Sequence, residues 1–186
     1  MKLRLLFLAL LLPLLGYPQE KHHFLSVSAG VWENDEGYWY RAVDFSFGPA
    51  FALEYQYLWT DHIALRGKFS TGAISRKTIG EITRPITATA GILWTPFGQK
   101  FKNFQVGVSP GYVYCRSDYM DVDRPVRDQH RIATHHTFGI EFPVRFHFIN
   151  NDRYVLGLNF DLITIFSGGH YQIFTLQNML SFGLKF

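Results

Sequence analysis

Seven charged residues recur inside segments that otherwise alternate apolar and small side chains: Glu54, Arg66, Lys68, Glu141, Arg145, Asp161 and Lys185, with His147 and Asn159 beside them. Carboxylates interleaved with guanidinium and ammonium groups on one face can do three kinds of chemistry. They can neutralise one another as a structural ion-pair network, carry protons or ions along a path, or supply a catalytic acid and base. The opposite signs nearly balance, as a buried set requires, because an unpaired charge in a narrow interior is costly. The expected role is a structural network that plugs an interior, ahead of an ion path and of a catalytic pair. No catalytic residue, cofactor-binding residue or metal ligand is assigned. The single Cys115 excludes an internal disulfide, and no Cys/His cluster has zinc spacing.

The elements that hold these charges are strands. In FSFGPAFALEYQYLW (45–59) every odd position is apolar or aromatic, and the even positions are small or polar apart from Leu58. A period of two puts successive side chains on opposite faces of a strand. The same alternation predicts strands at 23–32, 63–73, 86–95, 104–115, 136–148, 154–162 and 174–186. That gives eight strands and no convincing helix. Pro49, Pro110 and Pro143 fall inside them, and since proline cannot donate to a ladder, bulges are expected there.

Residues 1–18 stand apart. Lys2 and Arg4 precede the apolar run LLFLALLLPLL, the pattern of a secretory signal peptide, which leaves 19–186 as one mature domain. The formal charge of +3 is dispersed, with no basic stripe for nucleic acid. Aromatic residues make up 17% of the chain, and phenylalanine dominates them.

The strand faces decide the solvent. A soluble sandwich or lipocalin-like barrel would turn the polar face outward, but these faces carry Gly, Ala and Ser with few of the Lys and Glu typical of a solvated surface. Turned the other way, the wall of rings meets lipid, and the small side chains fill the narrow lumen of an eight-stranded barrel. The expected fold is all-β, an eight-stranded antiparallel transmembrane (outer-membrane) β-barrel. Trp32, Trp59, Trp94, Tyr112, Tyr114 and Phe186 are expected to form its interfacial aromatic girdles. Links 33–42, 75–85 and 116–133 are expected to be long polar loops at the outer end.

With its leader, its eight alternating segments and the ending NMLSFGLKF, the chain resembles the small outer-membrane barrels of the OmpA/OmpX/OmpW type. The resemblance covers nearly the whole mature chain, and it is one of architecture. It implies an integral protein of the bacterial outer membrane with lipid and lipopolysaccharide as neighbours. The terminal Phe186, with Leu180, Phe182 and Leu184 at spacing two, resembles the strand read by the barrel-assembly machinery. The function expected is a membrane anchor with surface-exposed binding loops. The alternatives are a channel for small or hydrophobic solutes, and an acyl hydrolase acting on lipid A. Hydrolases of that kind carry an H-x-S pair, which this sequence lacks. The nearest substitute is His136 with Thr164 diagonal to it across a hairpin, and no acid shares that face. In the loop, Asp121-x-Asp123 and Asp128-x-His130 superficially resemble the acid and acid–histidine pairs of outer-membrane aspartyl proteases. They are read as parts of a solvated loop. Cation binding by Asp118, Asp121 and Asp123, or phosphate contacts by the loop arginines, are further readings.

Overall fold

The computed structural model describes residues 23–35, 45–76, 81–96, 103–120, 130–167 and 171–186. The leader 1–18 and Asp121, Asp123 and Asp128 lie outside the described residues.

Among the described residues nine strands follow in order: β1 (His23–Asp35), β2 (Phe45–Leu58), β3 (Ile63–Gly72), β4 (Ile74–Arg76), β5 (Glu81–Trp94), β6 (Phe104–Met120), β7 (His130–Asn150), β8 (Tyr154–Ser167) and β9 (Tyr171–Lys185). The strands pair antiparallel around the sheet, and β1 pairs with β9, so the sheet closes on itself. β3 and β4 are two pieces of one stave, since both lie between β2 and β5; the barrel therefore has eight staves. Among the described residues there is no helix.

The break in the third stave has a local cause. Ala73 N–H donates to the Pro49 carbonyl at 3.1 Å, but Pro49 has no N–H to return to Ala73. The Ala73 carbonyl instead lies over Gly48, where an added Cβ would come within 1.6 Å of its oxygen. Only glycine tolerates that approach.

The other two prolines behave differently from expectation. Paired positions are missing from the ladders around Pro110 and Pro143, yet the register is the same on either side of each gap. A missing N–H has removed ladder bonds without inserting a residue. The register shift lies between His147 and Ile149, near the end of β7, and no proline adjoins it.

Burial alternates along the staves in the sense opposite to a soluble protein. Phe51 is 55% exposed and Leu53 48%, whereas Ala52 and Glu54 between and beside them are buried. Val27, Phe69, Phe142, Leu162 and Phe182 share the exposed side. An outer wall of this composition has hydrocarbon as its matching solvent, and the closed ladder leaves no sheet edge to face it.

The strands outrun their sequence-based limits at one end. β6 continues to Met120 and β7 begins at His130, so 116–120 and 130–134 form paired ribbon in place of a long loop. Likewise β4 and β5 pair through Arg76 and Glu81, and β1 reaches Asp35 opposite Phe45. Polar composition misleads here because strands that leave the membrane no longer need an apolar face. At the opposite end the β2–β3 and β7–β8 turns are tight. The Thr60 hydroxyl accepts from Ile63 N at 3.0 Å, and Asn151 Oδ1 accepts from Tyr154 N at 2.8 Å. Side-chain oxygens thus stand in for backbone partners at both reversals.

The outward wall predicts a depth-dependent penalty. Leu53→Arg, level with the buried charges, should cost about 2–4 kcal/mol, and Trp59→Arg at the rim only about 0–1 kcal/mol. Urea unfolding of the barrel in phospholipid vesicles measures both; equal costs would contradict the assigned face.

Candidate functional site

Six of the seven charged residues meet in the middle of the lumen. β2 supplies Glu54, β3 supplies Arg66 and Lys68, β7 supplies Glu141 and Arg145, and β8 supplies Asp161. In the closed ring β2 stands across from β7 and β3 across from β8, so these contacts bridge the barrel from wall to wall.

Arg66 Nε donates to Glu54 Oε2 at 2.7 Å, one Nη to Glu141 Oε1 at 2.8 Å, and the other to Ser109 Oγ at 3.0 Å. Lys68 Nζ donates to Glu141 Oε1 at 2.9 Å, Asp161 Oδ2 at 2.6 Å and Gln177 Oε1 at 2.5 Å. Arg145 donates to Glu54 Oε2 at 2.8 Å and, through its other Nη, to Asp161 Oδ1. Gln56 Nε2 covers Glu54 Oε1 at 2.6 Å, and Thr89 Oγ1 covers Glu141 Oε2 at 2.8 Å.

Three carboxylates face three cations, and the side chains of all six are at most 2% exposed. Every one of the six carboxylate oxygens accepts at least one hydrogen bond. Burying such groups is tolerable because each finds opposite charge in the same layer and every carboxylate oxygen finds a donor, with Arg145 Nε left without an acceptor among the described residues. Chemically the arrangement is closed: it can hold staves together across the lumen, and its acids are already occupied by donors.

The rest of the lumen is layered about this bridge. Towards the loop end lie Trp32, Ile74, Val113, Ile163 and Ile165, with Ala50 and Ala52; Met179, opposite Asn159, belongs to the same cluster from the level of the bridge. Towards the termini the filling is polar. Asn159 Nδ2 donates to Ser28 Oγ at 3.1 Å, and Ser181 Oγ donates to Asn159 Oδ1 at 3.2 Å. His147 is also inward at that end, with its ring 6.4 Å from that of Phe24.

Two expected site residues are placed elsewhere. Lys185 is half-buried at the mouth, donating to Asn150 Oδ1 and, at 2.8 Å, to the Asn151 carbonyl, so it tethers the 150–154 turn and not the central bridge. Trp32 does not belong to a girdle. It is fully buried in the lumen, because it follows outward Val31 and the strand alternation turns it inward onto Gly72. The other girdle residues lie on the outer wall or rim. Trp59, Trp94 and Tyr112 are exposed, Tyr114 is half-buried, and Phe186 stacks on His23 at 5.7 Å.

His136 and Thr164 are not diagonal neighbours. Thr164 stands opposite Ile140, while His136 stands opposite Tyr114 on the other side and shares its Nδ1 with the Tyr112 hydroxyl. Alternation puts Ser109, Thr89 and Gln177 on the small face but assigns them no part in the network. Their parity along β5, β6 and β9 shows the face, and only closure shows which residues meet.

A closed eight-stranded barrel with an apolar outer wall and a polar, filled lumen defines an outer-membrane β-barrel membrane protein. Three solved structures share that architecture at low sequence identity. Ail, the attachment invasion locus protein of Yersinia pestis, matches with TM-score 0.57 at 13% identity over 89% of this chain and 99% of that one. Neisserial surface protein A matches with TM-score 0.55 at 10% identity over 89% and 97%. A major outer membrane protein of Thermus thermophilus matches with TM-score 0.56 at 13% identity over 88% and 99%. No protein-family model matches the sequence, and no curated protein matches it.

The bridge predicts an asymmetry between one change and two. Glu141→Gln leaves Arg66 and Lys68 short of a counter-charge and should destabilise by about 3–5 kcal/mol. Adding Lys68→Met restores neutrality and should recover part of that loss. Urea midpoints of the folded barrel in vesicles measure both, and a double variant no more stable than Glu141→Gln would refute the neutrality argument.

Proposed function

We propose that the chain is a non-catalytic anchor in the bacterial outer membrane, its lumen closed to solutes and its binding work done at the loop end. The observation that carries this reading is the charge-balanced bridge across the lumen, with an apolar layer packed over it. A conducting path would need a continuous wetted lining, and here the midpoint is filled by side chains bonded to both walls. Such filling is the expected state of an eight-stranded barrel.

The paired ribbon of β6 and β7, which runs ahead of the 121–129 connection, supports a role for the loop end. Its last pairs, Tyr119 opposite Arg131 and Met120 opposite His130, lie beyond the aromatic row at Tyr114. Its neighbours would be outer-membrane lipid and lipopolysaccharide. During biogenesis the outward row Leu180, Phe182 and Leu184 of β9, ending in Phe186, is the segment proposed to engage the barrel-assembly machinery.

Planar-bilayer recording tests the closed lumen. The folded mature protein should give no discrete conductance steps at moderate voltage. Regular steps from the wild-type chain would favour the channel reading and overturn the plug. An acyl change in lipid A, seen by mass spectrometry in cells expressing the chain, would overturn the non-catalytic assignment.

A further inference from the structure

On the outer face of the β5–β6–β7 ribbon, Arg84 and Arg116 stand directly opposite each other in the ladder, and Thr134 is the partner of Arg116 on the next stave. All three are exposed. Among the described residues neither guanidinium has an ion-pair partner. Asp118, two residues along β6 on the same face, stands opposite Ile82 and Ile132 instead. Like charges directly across a sheet pair are destabilising. This pair therefore opposes the fold unless an anion sits between its members.

The height of the pair says which anion. The next outward rows are Ile86, Tyr114 and His136, then Ala88, Tyr112 and Phe138. Tyr112 hydrogen-bonds His136, and the Tyr114 ring lies 5.0 Å from it, so these side chains form an aromatic shelf. Tyr114 is ten residues from Phe104 at the other rim, and Arg84 is ten from Trp94. Ten residues at ~3.3 Å each, tilted by roughly 40°, rise about 25 Å, the height of the apolar band of such barrels. Arg84 and Arg116 thus stand at the headgroup plane, just above the rings that mark the interface.

We propose that Arg84, Arg116 and the Thr134 hydroxyl form a clamp for the phosphate of a phosphorylated glycolipid in the surrounding leaflet, whose acyl chains run down over Ile86, Tyr112 and Phe138. Guanidinium groups suit the task because each offers a planar fork of donors to phosphate oxygens. The hydroxyl adds a neutral donor on the flanking stave. A bound headgroup neutralises the opposed charges, so the lipid stabilises the ribbon that carries the 121–129 connection. The proposal rests on the membrane-embedded reading above.

The test uses the folded mature chain in a neutral, phosphate-free detergent, with lipid binding read by native mass spectrometry. Wild-type protein should bind diphosphoryl lipid A about tenfold more tightly than its dephosphorylated form, the factor expected for one charge-assisted contact. Arg84→Ala/Arg116→Ala should bring both lipids to the same weak level, and Arg84→Gln/Arg116→Gln should do the same. In lipid-free detergent the double variants should be as stable to urea as wild type, or more so, because the opposed charges are gone. Equal binding by wild type and variants, or no preference for the phosphorylated lipid, would overturn the clamp. Full competition by millimolar inorganic phosphate would overturn the lipid as its source. Failure of the membrane reading itself shows separately, as a chain with no heat-modifiable folded band on SDS gels.

Discussion

Twelve residue pairs between β1 and β9, from Phe24 opposite Lys185 to Asp35 opposite Phe174, join the two ends of the sheet, and the other features of the molecule follow from that join. In hydrocarbon an unpaired backbone N–H or C=O costs several kcal/mol, so a spanning sheet must have no edge. Closure at eight staves then fixes a lumen only wide enough for side chains. The small inward residues, the filled core and the apolar exterior are consequences of the same constraint. At the terminal rim the seam is finished by backbone bonds of 3.2 and 3.0 Å between His23 and Phe186.

A filled lumen poses its own problem, because inward positions cannot meet lipid or bulk water. The molecule solves it in layers. Polar amides and hydroxyls bond one another near the termini, the neutral bridge holds the middle, and the Trp32 cluster packs towards the loops. A buried ion pair is weak evidence for net stability, since desolvation offsets much of the attraction. Its stronger role here is geometric. Arg145 binds Glu54 across the lumen while Lys68 binds Asp161, so opposite walls are held at one spacing and one register.

The interruptions are local, and those at the prolines have a backbone cause. Pro49 removes one donor and splits a stave at Ala73, with Gly48 leaving room for the displaced carbonyl. Pro110 and Pro143 open gaps in the ladders on either side of β6 without changing register, so the long β6–β7 ribbon continues beyond them. That ribbon carries both the aromatic shelf and the opposed arginines on one outward face.

Much of this is legible in the sequence. A side-chain period of two assigns each residue to one of two faces, and the composition of those faces identifies their solvents; strand number, the inside-out wall and the inward set from Glu54 to Asp161 follow. What the linear pattern cannot decide is who meets whom across the lumen. Lys68 and Asp161 are distant in the chain, and their 2.6 Å contact exists only because closure and stave order bring β3 opposite β8. Height along the axis is equally invisible to alternation, so Lys185 shares the face of the bridge yet lies at the mouth. Trp32 departs from expectation for a complementary reason: aromatic character suggests a girdle, whereas its parity with Ser26 and Ser28 turns it inward. Periodicity is a property of neighbouring residues and survives in one dimension. Contact across a closed ring depends on long-range register, and that is set only when the last strand pairs with the first.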